Sequence, residues 1–157
     1  MNTPGAKYLL RRRQFLHLDL AHDLPEISAD AHQLQQVFLN LINNALDAIL
    51  ENGEDGDLWV RTDSEEHVVF IEFTDSGPGV KDASRVFDPF YTTKPVGKGT
   101  GLGLSICYGI ITEHGGTIQV QNQPTGGATF RVELPSRKGS RARDEKLAPA
   151  AAPLLHE

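Results

Sequence analysis

Between Leu34 and Ile49 the apolar residues Leu34, Val37, Phe38, Leu41, Ile42, Ala45, Leu46 and Ile49 recur at helical spacing and form one continuous face. A helix with one long apolar side must bury it against a second layer, and the flanking segments supply strands for that layer. Upstream, Leu16, Leu18 and Leu20 alternate with His17 and Asp19, the pattern of a half-buried strand. Between them "DLPEISAD" turns the chain, and Asp30 is placed to cap the helix by accepting from the free amides of its first turn. Downstream, after Gly53–Gly56, "DLWVRT" and "HVVFIEF" read as two adjacent strands joined by a short polar turn.

The rest of the chain repeats the theme. A short helical patch is expected over Ala83–Phe87, and a second amphipathic helix from about Leu102 to His114, stopped by Gly115-Gly116. "TIQVQNQ" and "ATFRVELP" then alternate as two strands around the turn "PTGG". Consecutive strands favour antiparallel pairing, so the expectation is an α/β two-layer sandwich. Its sheet is mixed, mainly antiparallel and of about five strands, with helices over one face. Residues 1–12 read as a leader or the remnant of a preceding helical region, 13–136 as the domain, and 137–157 as a disordered tail without periodicity.

Composition narrows the function. The net charge of -6 argues against general nucleic-acid binding, which needs a basic surface. No apolar run approaches the roughly 20 residues of a membrane span. The lone Cys107 excludes an internal disulfide, suits a reducing cytoplasm, and reads as a small core residue.

Four stretches carry chemistry. In "NLINNALDAI", Asn40 and Asn44 lie one turn apart, as do Asn43 and Asp47, beside the apolar stripe. A carboxamide oxygen is a competent neutral ligand for Mg²⁺, although helix-edge amides bonded to backbone would look the same. In "DSGPGV", Asp75 ends a strand, and Gly77 and Gly79 let backbone approach a ligand closely. A carboxylate there can accept from the exocyclic amine of adenine, where guanine presents a carbonyl; the bland alternative is an Asx-turn. "GKGTGLG" is neither a Walker loop nor a dinucleotide fingerprint, yet its glycines run into a helix start, where free amides and the helix dipole favour anions. Lys94 and Lys98 add positive charge to this segment, and Phe87, Phe90 and Tyr91 give it apolar anchors, which together describe a lid. Finally, Thr129 alternates with Phe130 on a late strand; its hydroxyl either reaches the base region or is an ordinary strand threonine.

In this order the stretches resemble the catalytic, ATP-binding domain of bacterial sensor histidine kinases, over roughly residues 14–135. That domain has the Bergerat fold and belongs to the ATPase superfamily shared with gyrase, MutL and the ninety-kilodalton chaperone. "NLINNALDAI" is similar to the asparagine box and "DSGPGV" to the first glycine box. "FDPFYTTK" resembles the phenylalanine box, "GTGLGL" the second glycine box, and "GGATFRVELP" the closing segment. "NALDAI" and "PFYTTK" look closest to nitrogen-regulation-type sensors. The resemblance implies ATP and Mg²⁺ as cofactors, with Asn44 on the metal and Asp75 on the adenine amine. Asp47, Gly77, Gly79, Val80, Phe87 and Thr129 would complete the nucleotide site. Lys94 and the amides of Gly99, Thr100, Gly101, Leu102 and Gly103 would meet the phosphates, and Thr93, Lys98 and Leu104 would also bind the nucleotide. Asn40, Asn44 and Lys94 would be the catalytic set. It also implies a phosphoacceptor and dimerisation domain and a response regulator as partners, a cytoplasmic site of action in bacteria, and a monomeric isolated domain.

The superfamily's hydrolases carry a glutamate where this chain has Asn40. An amide cannot take a proton from water at neutral pH, which favours phosphoryl transfer over rapid hydrolysis. None of the 6 histidines combines a helix with the acidic residue and spaced proline of a phosphoacceptor, so the acceptor is expected outside this chain. Two alternatives share the fold: a serine kinase or anti-sigma-type regulator, and a non-catalytic ATP-sensing module.

Overall fold

The computed structural model describes residues 6–11, 13–53, 55–94, 97, 99 and 101–137. Its elements in chain order are β1 (Ala6–Arg11), β2 (Gln14–Leu20), α1 (Ala31–Glu51), β3 (Gly56–Glu65), β4 (Val68–Asp75), α2 (Gly103–Glu113), β5 (Thr117–Asn122) and β6 (Ala128–Pro135). The strands form one 6-stranded sheet in the order β1-β2-β3-β4-β6-β5. β2 and β3 pair in parallel; every other pair is antiparallel. The parallel pair follows from α1, whose 21 residues carry the chain back about 30 Å before β3 begins.

Asp30 caps α1 as expected, its Oδ1 accepting from the amides of His32 (2.9 Å) and Gln33 (3.0 Å). These bonds, that of Gln33 foremost, hold the Asp30 carboxyl below its ordinary pKa. α2 ends in a Schellman arrangement: Gly115 N–H donates to Thr112 O (2.9 Å), Gly116 N–H donates to Ile111 O (2.9 Å), and Gly115 takes φ 71°. At the same end, His114 accepts from the Asp30 backbone N–H at Nε2 (3.0 Å) and donates from Nδ1 to Ile110 O (2.7 Å). The start of α1 is thereby tied to the end of α2.

The core lies between the helices and one sheet face. Val37, Leu41, Ala45 and Ile49 of α1 and Cys107 and Ile111 of α2 are buried against Leu58, Phe73, Phe130, Val132 and Leu134. Cys107 is a core residue, its thiol pushed to a higher pKa by burial. Strand register sends the intervening residues to the opposite, open face. There Phe70 is 2% exposed although no helix among the described residues covers it: Arg131 lies over its ring at 3.8 Å and Arg61 at 5.4 Å. Arg131 is held in place by Glu65, Glu72 and Glu133.

Two local expectations change. Residues 6–11 of the expected leader pair with β2 as an antiparallel sixth strand, with Lys7 opposite His17 and Leu9 opposite Phe15. The stretch Ala83–Phe87 forms successive turns rather than a helix. Asp82 draws the Ser84 amide into an Asx turn (3.0 Å), and Arg85 O accepts from Asp88 N–H (2.9 Å). Five residues are too few to repay helix nucleation against that competitor. Of the tail expected over 137–157, residues 138–157 lie outside the described residues; Arg137 donates its backbone N–H to Glu26 O (2.8 Å).

Candidate nucleotide site

A cavity of about 400 Å³ opens between α1, the loop after β4, the segment around Tyr91–Lys94 and the start of α2. This is within the roughly 300–1,000 Å³ typical of small-molecule sites. The α1 wall is polar. Asn40, Asn44, Asp47 and Glu51 recur one turn apart along it, with Asn43 beside them. The same helix thus turns its apolar stripe to the sheet and this stripe to the cavity. All of the donors on this wall are oxygens from carboxamides or carboxylates, which suits a hard cation such as Mg²⁺. Among the described residues no three His, Cys, Asp or Glu side chains cluster as a preformed metal cage.

Asn40 reaches across to α2: its Nδ2 donates to Gly103 O at 3.4 Å. Gly101, Gly103 and Leu104 line the cavity where α2 begins, and Leu102 at its N-cap makes no side-chain cap bond. The N-terminal end of α2 thus borders this space, and a helix start favours anions. Opposite stands Lys94, whose Nζ pairs with the Asp47 carboxylate across the cavity. Thr93 and Gly99 also line it, while Lys98 and Thr100 lie outside the described residues.

The lid's anchoring differs from expectation. Phe87 packs on Phe130 (6.2 Å, edge to face) and Tyr108 (5.8 Å) and is not among the residues that line the cavity. Tyr91 does line it and carries Arg85 over its ring at 4.7 Å. Phe90 is 75% exposed, so it is no apolar anchor; it is tied by its backbone, whose N–H donates to Gly101 O at 2.9 Å. Phe90 takes φ 65°, rare for a bulky residue. A Cβ on Gly101 would come within 2.5–2.7 Å of the Phe90 backbone, so glycine is required there.

Asp75 closes β4 and is 2% exposed. Its Oδ1 accepts from Gly77 N–H (2.9 Å) and Ala128 N–H (3.4 Å). Burial pushes its carboxyl pKa up, partly offset by those two amides. Asp75 and Gly77 stand behind the cavity wall; the residues that line it are Pro78, Gly79 and Val80. Gly77 is pressed on α1, where a Cβ would lie 2.7 Å from Ala48 O. Thr129 is placed elsewhere: strand alternation sends it to the open face, where it bonds Thr74 Oγ1 (2.7 Å) and Gln123 Nε2 (2.7 Å). Ala128 is the residue of β6 that meets Asp75. Glu51, Lys81 and Thr92 also line the cavity and were not anticipated, although Glu51 continues the Asn40–Asn44–Asp47 spacing.

The chain is similar to known proteins in sequence and in fold. Residues 29–138 match the family described as histidine kinase-, DNA gyrase B- and HSP90-like ATPase. The sensor histidine kinase ZraS of Escherichia coli is 45% identical over 114 residues, covering 71% of this chain and 23% of that protein. The C4-dicarboxylate transport sensor protein DctB of Pseudomonas aeruginosa is 36% identical over 129 residues, covering 78% of this chain and 21% of its own length. The chain thus spans about a fifth of these curated relatives. Among solved structures, the catalytic domain of histidine kinase ThkA superposes with a TM-score of 0.66 at 34% identity, covering 79% of this chain and 80% of that one. Full-length ShkA in complex with AMPPNP superposes with a TM-score of 0.65 at 31% identity, covering 77% of this chain and 25% of that one. The chain belongs to the histidine kinase-, DNA gyrase B- and HSP90-like ATPase family.

Proposed function

We propose that the chain binds Mg²⁺-ATP in the α1–α2 cavity and donates the γ-phosphoryl group to a histidine of a phosphoacceptor domain, from which a response regulator receives it. The observation that carries this reading is the polar Asn40–Asn44–Asp47 stripe facing Lys94 and the start of α2 across one cavity. The base end is assigned to Asp75, whose Oδ1 accepts the bonds from Gly77 and Ala128, so the carboxylate keeps acceptor capacity for an amine. Gly77, Gly79 and Val80 shape that end; Thr129 and Phe87 are given no nucleotide contact. Asn44 would hold Mg²⁺, which when bound neutralises phosphate charge. Lys94 and the amides at Gly99, Gly101 and Gly103 take the phosphate oxygens.

The transfer breaks the bond from the β–γ bridging oxygen to the γ-phosphorus and forms a phosphorus–nitrogen bond on the imidazole. At position 40 an amide stands in place of a carboxylate, and an amide cannot take the proton from a water competing with that nitrogen. The names of the relatives ZraS, a sensor histidine kinase, and DctB, a transport sensor protein, support the reading, as does the AMPPNP complex of ShkA. Among the described residues no helix is long and apolar enough to cross a membrane. The proposed setting is the bacterial cytoplasm, with the isolated domain a monomer. Incubation with radiolabelled ATP and a separately made phosphoacceptor helix pair tests the proposal. Acid-labile label on the acceptor is expected; acid-stable label, or none, contradicts it.

A further inference from the structure

Asn122 is the last residue of β5, the edge strand, and its side chain is exposed to solvent. Its carboxamide nevertheless makes two reciprocal bonds to one residue of the loop after β4. Oδ1 accepts from Val80 N–H at 2.8 Å, and Nδ2 donates to Val80 O at 2.9 Å. This is the pattern by which one strand residue holds another, supplied here by a side chain. The reciprocity also fixes which end of the amide is oxygen.

The surrounding backbone has adapted to it. Gly79 takes φ 84°, and a Cβ there would stand 2.8 Å from Asn122 Oδ1 and 3.3 Å from Gly127 O. The register Asn122↔Ala128 sets the clamp beside the residue whose amide bonds Asp75. The loop is therefore gripped at both ends, by Ala48 of α1 under Gly77 and by Asn122 at Val80. Gly79 and Val80, between and at these grips, line the cavity.

We infer that Asn122 is a positioning residue for the base end of the nucleotide site, setting the Gly79–Val80 wall without touching the ligand. This rests on the nucleotide-binding reading above. It predicts a loss that is blind to phosphate number, because the wall belongs to the loop after β4, which carries Asp75, and not to Lys94 or the α2 start. Asn122→Ala removes both bonds; Asn122→Asp keeps the acceptor for Val80 N–H but turns a carboxylate oxygen toward Val80 O. Each variant is expected to raise the calorimetric Kd about 3- to 10-fold, consistent with two neutral hydrogen bonds, for ATP and ADP alike. In the transfer assay KM rises while kcat at saturating ATP stays at the wild-type value. Unchanged Kd in both variants overturns the inference, and so does a change in the ATP-to-ADP ratio or a fall in melting temperature without loss of affinity. Wild-type protein that binds neither nucleotide overturns the functional reading itself.

Discussion

Gly77→Ala tests how the loop after β4 sits on α1. The added methyl would lie 2.7 Å from Ala48 O, 2.8 Å from its carbonyl carbon and 2.9 Å from its Cβ. Each is several tenths of an ångström inside ordinary contact, and the first two are backbone atoms of a helix that cannot rotate away. Overpacking of this kind costs about 1–3 kcal/mol. Gly77 does not need a left-handed φ, so alanine also restricts the unfolded chain and returns about 0.4–1 kcal/mol. The net is about 1–2 kcal/mol of destabilisation. At about 2–4 °C per kcal/mol, that lowers the melting temperature by roughly 2–8 °C. Because Ala48 and Pro78–Val80 line the cavity, the forced separation should also weaken ATP binding. Gly109→Ala is the control: nothing lies within 4 Å of its Cβ, and it sits in the interior of α2, so alanine should stabilise by about 0.5–1 kcal/mol. Circular dichroism melts with nucleotide titration read both variants. Gly77→Ala melting at or above wild type with unchanged affinity would refute the close packing of loop on helix.

Two further outcomes follow from charge. Lys94 and Asp47 are 29% and 46% exposed, and such a pair contributes about 0.2–1 kcal/mol, so Lys94→Ala should leave the melt nearly unchanged. It should weaken ATP more than ADP by calorimetry; equal losses would remove Lys94 from the terminal phosphate. The pH dependence of stability should carry opposite signs at two aspartates. Asp75 has a raised folded pKa, so its ionisation costs stability as pH climbs from 3.8 through that higher value, and Asp75→Asn should lack this decline. Asp30 has a lowered folded pKa, so its contribution is present above 3.8 and is lost as pH falls through the lower value; Asp30→Ala should lack that loss. Urea unfolding across acidic pH separates them, and slopes of the same sign would contradict the assigned environments.

Much of this was readable in the chain because the signals were local and periodic. The α1 stripe, its Asp30 cap and the Gly115-Gly116 stop each depend on residues within one or two turns of one another. Strand β6 was legible for the same reason, since Ala128–Pro135 alternates buried and half-buried without interruption. What escaped depends on distant partners. β1 holds its place through backbone pairing with β2, to which the basic run near Arg11–Arg13 gives no clue. Phe90 reads as an anchor by composition, yet its backbone is left-handed, packs closely on Gly101, and its ring is exposed to solvent. Thr129 carried the right chemistry on the wrong face, which its alternation with the buried Phe130 already implied. Asn122 has no sequence signature at all; its role exists only because β5 ends beside Val80.

The most direct measurement is calorimetry of the wild-type chain with ATP and GTP, each with Mg²⁺ and with excess EDTA, alongside Asp75→Asn. Selective binding of ATP that requires Mg²⁺ is expected, with Asp75→Asn weaker by about 10-fold or more, the scale of a hydrogen bond to a charged group. Equal affinity for ATP and GTP, or an Asp75→Asn protein that binds ATP like wild type, would contradict the adenine site at the end of β4.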